Sequence, residues 1–225
     1  MRDIQSLINR QFRSSQMMRR LRRINYNFPL HPCITLTSEP GSRGRDIAQK
    51  VARSLKLAAY DREIVTLIAK SSHISRKLIA TLDEKSLNAV DGIVNSLFGF
   101  SNPSEYKYIK TLAKVILGIA AGQPAVIIGR GANFILPAET ILRVRTQAPF
   151  MTRVKYTSED DHLTINQAKE KIRNLHTENK GFISKYFNKN ISNANYYDLV
   201  VNTKLLNINQ ASEVIITGYK GKFLS

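Results

Sequence analysis

Cysteine is nearly absent. Cys33 stands alone among 225 residues, so no intrachain disulfide framework can staple the chain. That usage fits a reducing compartment, and a cytoplasmic location is the expectation. Histidine is almost as scarce: His31, His73, His162 and His176 lie far apart and, with one cysteine, spell no zinc motif. Long apolar runs are missing too. The longest, residues 115–129, is broken by Gly118, Gly122, Gln123 and Pro124, so no transmembrane segment is expected. Neither an internal repeat nor a low-complexity tract is visible. Acid is short relative to base, with 17 Asp and Glu against 34 Lys and Arg and a formal net charge of +17. Such an excess points to anionic partners: nucleotides, RNA or DNA, an acidic membrane or an acidic protein.

The shortage of acid is sharpest in residues 1–30, which hold seven arginines, no lysine, no glutamate and only Asp3. Between the arginines, Ile4, Leu7, Ile8, Phe12, Met18, Leu21 and Ile24 recur at helical spacing, which predicts a basic amphipathic helix. Three uses stay open. The helix packs on its own domain or on a sister subunit of a homo-oligomer, it docks an acidic macromolecule, or it is a targeting segment. Two prolines, Pro29 and Pro32, end it as a linker. Residues 1–32 are therefore set apart from a domain over 33–225.

The chain as a whole has ordinary globular composition, 43% hydrophobic and 23% charged, and residues 33–225 are long enough for one α/β core. Short apolar runs near 33–37, 57–60, 125–128, 141–145 and 199–202 read as strands. They alternate with helical stretches near 45–55, 62–70, 105–121 (capped by Ser104) and 209–219. A further helix starts at Thr164, where Thr-Ile-Asn-Gln has the form of a capping box. This alternation predicts a three-layer α/β domain with about five parallel strands. Residues 72–103 read as a helical insertion broken by Gly92, Gly99 and Pro103.

The first strand runs into Pro40-Gly-Ser-Arg-Gly-Arg-Asp-Ile-Ala48, a Gly-containing turn that opens a helix. Unpaired backbone N–H groups and the positive helix end would converge there, which suits a phosphate. Gly41 and Gly44 allow close approach, and Arg43 and Arg45 add charge. The lysine of G-x-x-x-x-G-K-[ST] is missing, so the loop alone also reads as an ordinary β–α turn. Taken with Tyr60-Asp-Arg-Glu-Ile64, Val126-Ile-Ile-Gly-Arg-Gly-Ala-Asn133 and Tyr197-Asp-Leu-Val-Val-Asn-Thr203, the series resembles the cytidylate-kinase-like family of P-loop proteins, a nucleoside-monophosphate-kinase-like fold, over residues 33 to about 215.

That resemblance implies ATP and Mg2+ at a phosphate loop formed by Gly41, Ser42, Arg43, Gly44, Arg45 and Asp46, with Asp46 as the metal ligand. It implies a monophosphate seat at Asp61, Arg62, Arg130 and Asn133, and a lid over 156–189 whose cations clamp the transferring phosphoryl group. Arg130, Arg153 and Arg173 are the catalytic candidates. Arg130 comes just after a strand at the carboxyl edge of the sheet, where it reads either as a bidentate phosphate grip or as a surface arginine in a tight turn. Asp61 either holds ribose or base, or caps the helix after it. Asp198 reads as structural.

The family pattern is not kept throughout. Ser38 stands where the family has arginine and Arg43 where it has glycine. The lid segment 172–182 keeps only Arg173 and Lys180 as bases, with His176 in place of an acid. Arg153, Lys155 and Lys171 are the candidate substitutes. Asn188–Asn195 is expected to be loose, and Asp160-Asp161-His162 reads as a polar loop. Tyr106, Tyr108, Tyr186, Phe187, Tyr196 and Tyr197 read either as core or as a stacking platform for single-stranded nucleic acid. Two functions therefore stand side by side: a phosphotransferase acting on a nucleoside monophosphate such as CMP, and a catalytically inactive kinase-like module that docks an acidic partner.

Overall fold

The computed structural model describes residues 30–70 and 103–224; the expected N-terminal helix and most of the expected insertion lie outside them. Five strands form one parallel sheet in the order β2-β3-β1-β4-β5. They are β1 (Cys33–Ser38), β2 (Ala58–Tyr60), β3 (Ala125–Ile128), β4 (Ile141–Gln147) and β5 (Leu199–Asn202). Each lies within two residues of its expected bounds. The helices are α1 (Gly44–Leu55), α2 (Arg62–Lys70), α3 (Pro103–Gly122), α4 (Ala132–Ile135), α5 (Phe150–Asp160), α6 (Ile165–Phe187) and α7 (Ile208–Phe223).

The central strands are apolar on both faces because helices cover both, as in parallel sheets generally. Cys33, Ala125, Ile127 and Ile141 face a cluster with Val65 of α2, Ile109, Leu112 and Ile116 of α3, Ile135 of α4 and Ile183 of α6. Ile34, Leu36, Val126, Ile128, Leu142 and Val144 face the other way, onto Ile47, Ala48 and Val51 of α1 and Ile215 and Ile216 of α7. That makes three layers. The aromatic candidates belong to this packing: Phe187 and Tyr197 are buried, and Tyr106, Tyr108 and Tyr186 lie against the first cluster.

Two boundaries differ from expectation. Pro103, read as a breaker, begins α3, where a missing N–H costs nothing, so Ser104 lies inside the helix. The expected lid is a helical hairpin. Its second arm, α6, begins at the Thr164–Gln167 capping box, and the two arms share a small core of Val154, Ala168 and Ile172. Asn188–Asn195, expected to be loose, is pinned. Asn190 and Asn193 accept backbone N–H groups two residues on, Ile191 is buried, and its carbonyl accepts from Tyr197 and Arg145.

β1 pairs with β3 on one side and β4 on the other, while the chain crosses from one half of the sheet to the other between β3 and β4. The carboxyl end of β1 is thus a topological switch point, where open α/β sheets place their ligands.

Candidate functional site

A cleft of about 400 Å³ opens there. Its floor is the loop from Ser38 to Asp46. One flank is Asp61–Glu63 with Gly129–Gly131, and the other is Thr157, Asp160, Asp161 and one stripe of α6. The loop needs its first glycine. Gly41 has φ 80°, and a Cβ there would lie 2.7 Å from Thr157 Oγ1 and 2.8 Å from the Arg153 carbonyl. Arg43, at φ 55°, is the N-cap of α1 and supplies no side-chain cap. Among the described residues, the backbone N–H groups of Gly44, Arg45 and Asp46 therefore carry no hydrogen bond, and all three residues line the cleft. Open donors at the positive end of a 12-residue helix make an anion seat.

The side chains around this seat are largely matched in charge. Arg43 turns away from the loop and grips Asp160 with two hydrogen bonds, Nε–Oδ2 at 3.1 Å and Nη2–Oδ1 at 2.9 Å, stacked 4.0 Å above the Tyr156 ring. The bond to Asp160 pushes its guanidinium pKa up despite partial burial. Arg45 pairs with Asp61 at 2.6 Å, Arg62 with Glu63 at 3.2 Å, and Lys171 with Asp161 at 3.1 Å. Asp61 also accepts the Ile64 N–H at 2.9 Å, so it caps α2. Glu39 is held from below by two buried arginines, Arg145 at 2.8 Å and Arg153 at 3.5 Å.

Arg130 is the exception. Its φ of 53° after Gly129 turns it into the cleft, where Nε donates to Thr66 Oγ1 at 2.9 Å and the guanidinium lies 5.0 Å over the Phe182 ring. No described carboxylate lies within ion-pair distance of it, and burial lowers its pKa. A half-buried cation without a counterion is a poised anion ligand.

Residues 33–205 match the cytidylate kinase-like family. The chain belongs to that family. It is a kinase-like family of nucleotide-binding proteins. A solved structure of an uncharacterized protein from Eubacterium ventriosum shares the fold, at 17% identity over 85% of this chain and 99% of that one, with a TM-score of 0.60. Shikimate kinase from Bacteroides thetaiotaomicron is a looser match, with 12% identity over 86% and 99% of the chains and a TM-score of 0.44, too low to argue from. No curated protein matches.

Against the family's expected site, the cleft gathers Gly41, Arg43, Gly44, Arg45, Asp46, Asp61, Arg62 and Arg130. Four candidates lie elsewhere. The Ser42 hydroxyl is buried beneath the loop, between Ser38 Oγ at 2.9 Å and Thr146 Oγ1 at 3.0 Å. Arg153 is buried and donates to the carbonyls of Ala148 and Pro40, so it holds the loop instead of facing the cleft. Arg173 is exposed on α6 and stacks 5.6 Å from the Phe150 ring, off the cleft wall. Asn133 is buried in α4, its Nδ2 unpartnered among the described residues. Of the substitute cations, Lys171 reaches the cleft, whereas Lys155 pairs with Glu159 on the outside of α5.

Sequence reasoning missed Asp160 and Asp161 as cleft residues, because a polar loop before a helix cap explained them. It also missed Asn179, Leu175 and Phe182. Their 175/179/182 spacing, one face of a helix, was the available signal. Asp198 is structural as expected, taking the backbone N–H and guanidinium of Arg143 and the ammonium of Lys222.

Proposed function

We propose that the cleft binds a nucleoside triphosphate by its phosphate chain at the N-terminus of α1, and transfers the terminal phosphoryl group to a monophosphate such as CMP seated by Arg62 and Arg130. The observation that carries this reading is the pairing of open backbone donors at Gly44–Asp46 with the counterion-free Arg130 in one cleft. The donors suit the dispersed charge of phosphate oxygens, and Arg130 suits the developing charge on the group in transit.

Magnesium fits under one condition. Asp46 is the exposed carboxylate in the first turn of α1, and no group of three His, Cys, Asp or Glu among the described residues could hold a metal alone. Magnesium bound with nucleotide commonly takes one or two carboxylates and completes its shell with phosphate and water, so Asp46 would hold it jointly with the nucleotide. When bound, the triphosphate and its metal supply the transferable group and part of its neutralisation. The chain's own residues position: Gly44–Asp46 donate to the phosphate chain, Arg62 and Arg130 orient the acceptor, and the α5–α6 hairpin walls off water.

The test is transfer from labelled ATP with magnesium to CMP, dCMP, UMP, AMP and GMP. A product is expected, and Arg130→Ala should lower its rate by at least about a hundredfold. The melting temperature should stay nearly level, since only the bond to Thr66 is lost. No product from folded protein would overturn the kinase reading.

A second reading has its own support. Four of the five cations lining the cleft, Arg43, Arg45, Arg62 and Lys171, are already ion-paired. A kinase-like module that binds without transfer, docking an acidic macromolecule through residues 1–30, would need no free cations there. In that case nucleotide binding survives without transfer, and deleting residues 1–30 abolishes partner binding.

A further inference from the structure

The stripe of α6 that faces the cleft carries Leu175, Asn179 and Phe182, one helical turn apart. Two are apolar, and between them is one amide. Arg62 Nη1 donates to Asn179 Oδ1 at 3.1 Å. A guanidinium can only donate, so this bond fixes which end of the amide is which. The Nδ2 end is left without a partner among the described residues, half-buried on an open cleft wall. Beside it, Arg130 lies over the Phe182 ring, so the cation proposed to grip the acceptor phosphate touches the apolar wall.

We infer that this stripe seats the planar base of the acceptor, and that Asn179 Nδ2 reads it as a donor to an unprotonated ring nitrogen. The inference rests on the acceptor seat proposed above and adds its specificity. Leu175 and the Phe182 edge supply an apolar slot for a flat ring. The amide, locked by Arg62, presents N–H and no acceptor. Cytosine N3 and adenine N1 offer a lone pair at the ring position, whereas uracil N3 and guanine N1 carry a hydrogen there. A donor facing a donor leaves both unpaired in a partly desolvated slot, and that mismatch is what discriminates. Amino bases are therefore favoured over keto bases. Arg62 acts on the base only through Asn179, as a positioning residue.

The chemistry can be inverted at one atom. Asn179→Asp keeps the shape and the bond to Arg62 but replaces the donor with an acceptor. Asn179→Leu keeps bulk and removes both. Binding of CMP, AMP, UMP, GMP and base-free ribose 5-phosphate is measured by calorimetry on the full chain, with ATP bound separately as a control. In the native chain, CMP and AMP should bind at least about tenfold tighter than UMP and GMP. Asn179→Asp should reverse that order, and Asn179→Leu should flatten it. Ribose 5-phosphate and ATP should change less than about twofold in both variants, because neither meets the amide. An unchanged base preference in the two variants overturns the inference and leaves the acceptor seat intact. A native chain that binds neither ribose 5-phosphate nor any monophosphate removes the acceptor seat, and this inference with it.

Discussion

Replacing Asp160 by Asn should tighten ATP binding, although the residue is expected to touch no phosphate. In the structure Asp160 holds Arg43, the arginine of the loop, through two hydrogen bonds and away from the α1 N-terminus. For Arg43 to meet a phosphate chain, that pair must open. Its strength sets the size of the effect. The two side chains are 28% and 46% exposed, so the pair belongs with surface ion pairs, worth about 0.2–1 kcal/mol. Tyr156 at 4.0 Å and Glu159 at 3.6 Å remain as partial holds, which keeps the gain toward the lower end. An upper limit near 1 kcal/mol corresponds to about a fivefold rise in affinity. Removing a negative charge from the rim acts in the same direction and fades with salt. The assay is calorimetric titration of ATP with magnesium into native and Asp160→Asn chains at low and high ionic strength, with Arg43→Ala and the double mutant completing a cycle. Stability should fall by less than about 1 kcal/mol, or a few degrees of melting temperature. Unchanged or weaker ATP binding in a folded Asp160→Asn chain would refute the reasoning. So would a gain that persists in the Arg43→Ala background.

Arg145→Met should cost about 3–5 kcal/mol in urea unfolding, because it leaves Glu39 against Arg153 alone and orphans the Ile191 carbonyl. A loss under about 1 kcal/mol would mean the network beneath the loop is dispensable. Cys33 is buried, and burial pushes its thiol up from 9.0 to about 11. The neutral thiol is thus favoured by folding, so its contribution is whole below about pH 9 and fades as pH rises toward 11, by up to roughly 3 kcal/mol. Alkaline unfolding of native and Cys33→Ala chains should converge over that window, and thiol reagents should label the folded chain slowly at about pH 8.

The strands were legible because their apolar residues sit in short runs between turn residues, and burial on both faces leaves no other use for Ile34, Leu36, Val126 and Ile128. The α6 start was legible because a capping box is a local device, closed within Thr164 to Gln167. Position 43 was legible in kind. Arginine stands there at φ 55°, a conformation glycine takes without strain, and the family pattern has glycine. What the residue types could not reveal was which charge meets which. Arg43 finds Asp160 across 117 positions, and Arg145 finds Glu39 across 106, so no local pattern announces either pair. Arg153 and Arg173 share a charge and a stretch of chain with the expected lid. One is nevertheless drawn inward to the Pro40 carbonyl and the other outward to Phe150.

That pairing also relocates the meaning of the net charge. The residues lining the cleft carry six carboxylates and five cations, so they contribute none of the chain's +17. The excess lies on other surfaces and on residues 1–29. Long-range attraction of an anion, which depends on net charge, and its final capture, which depends on unpaired donors, are therefore separate properties of this molecule. Raising ionic strength should slow the approach of a nucleotide more than it weakens the backbone contacts at Gly44–Asp46, because the first acts through solvent and the second at hydrogen-bond distance.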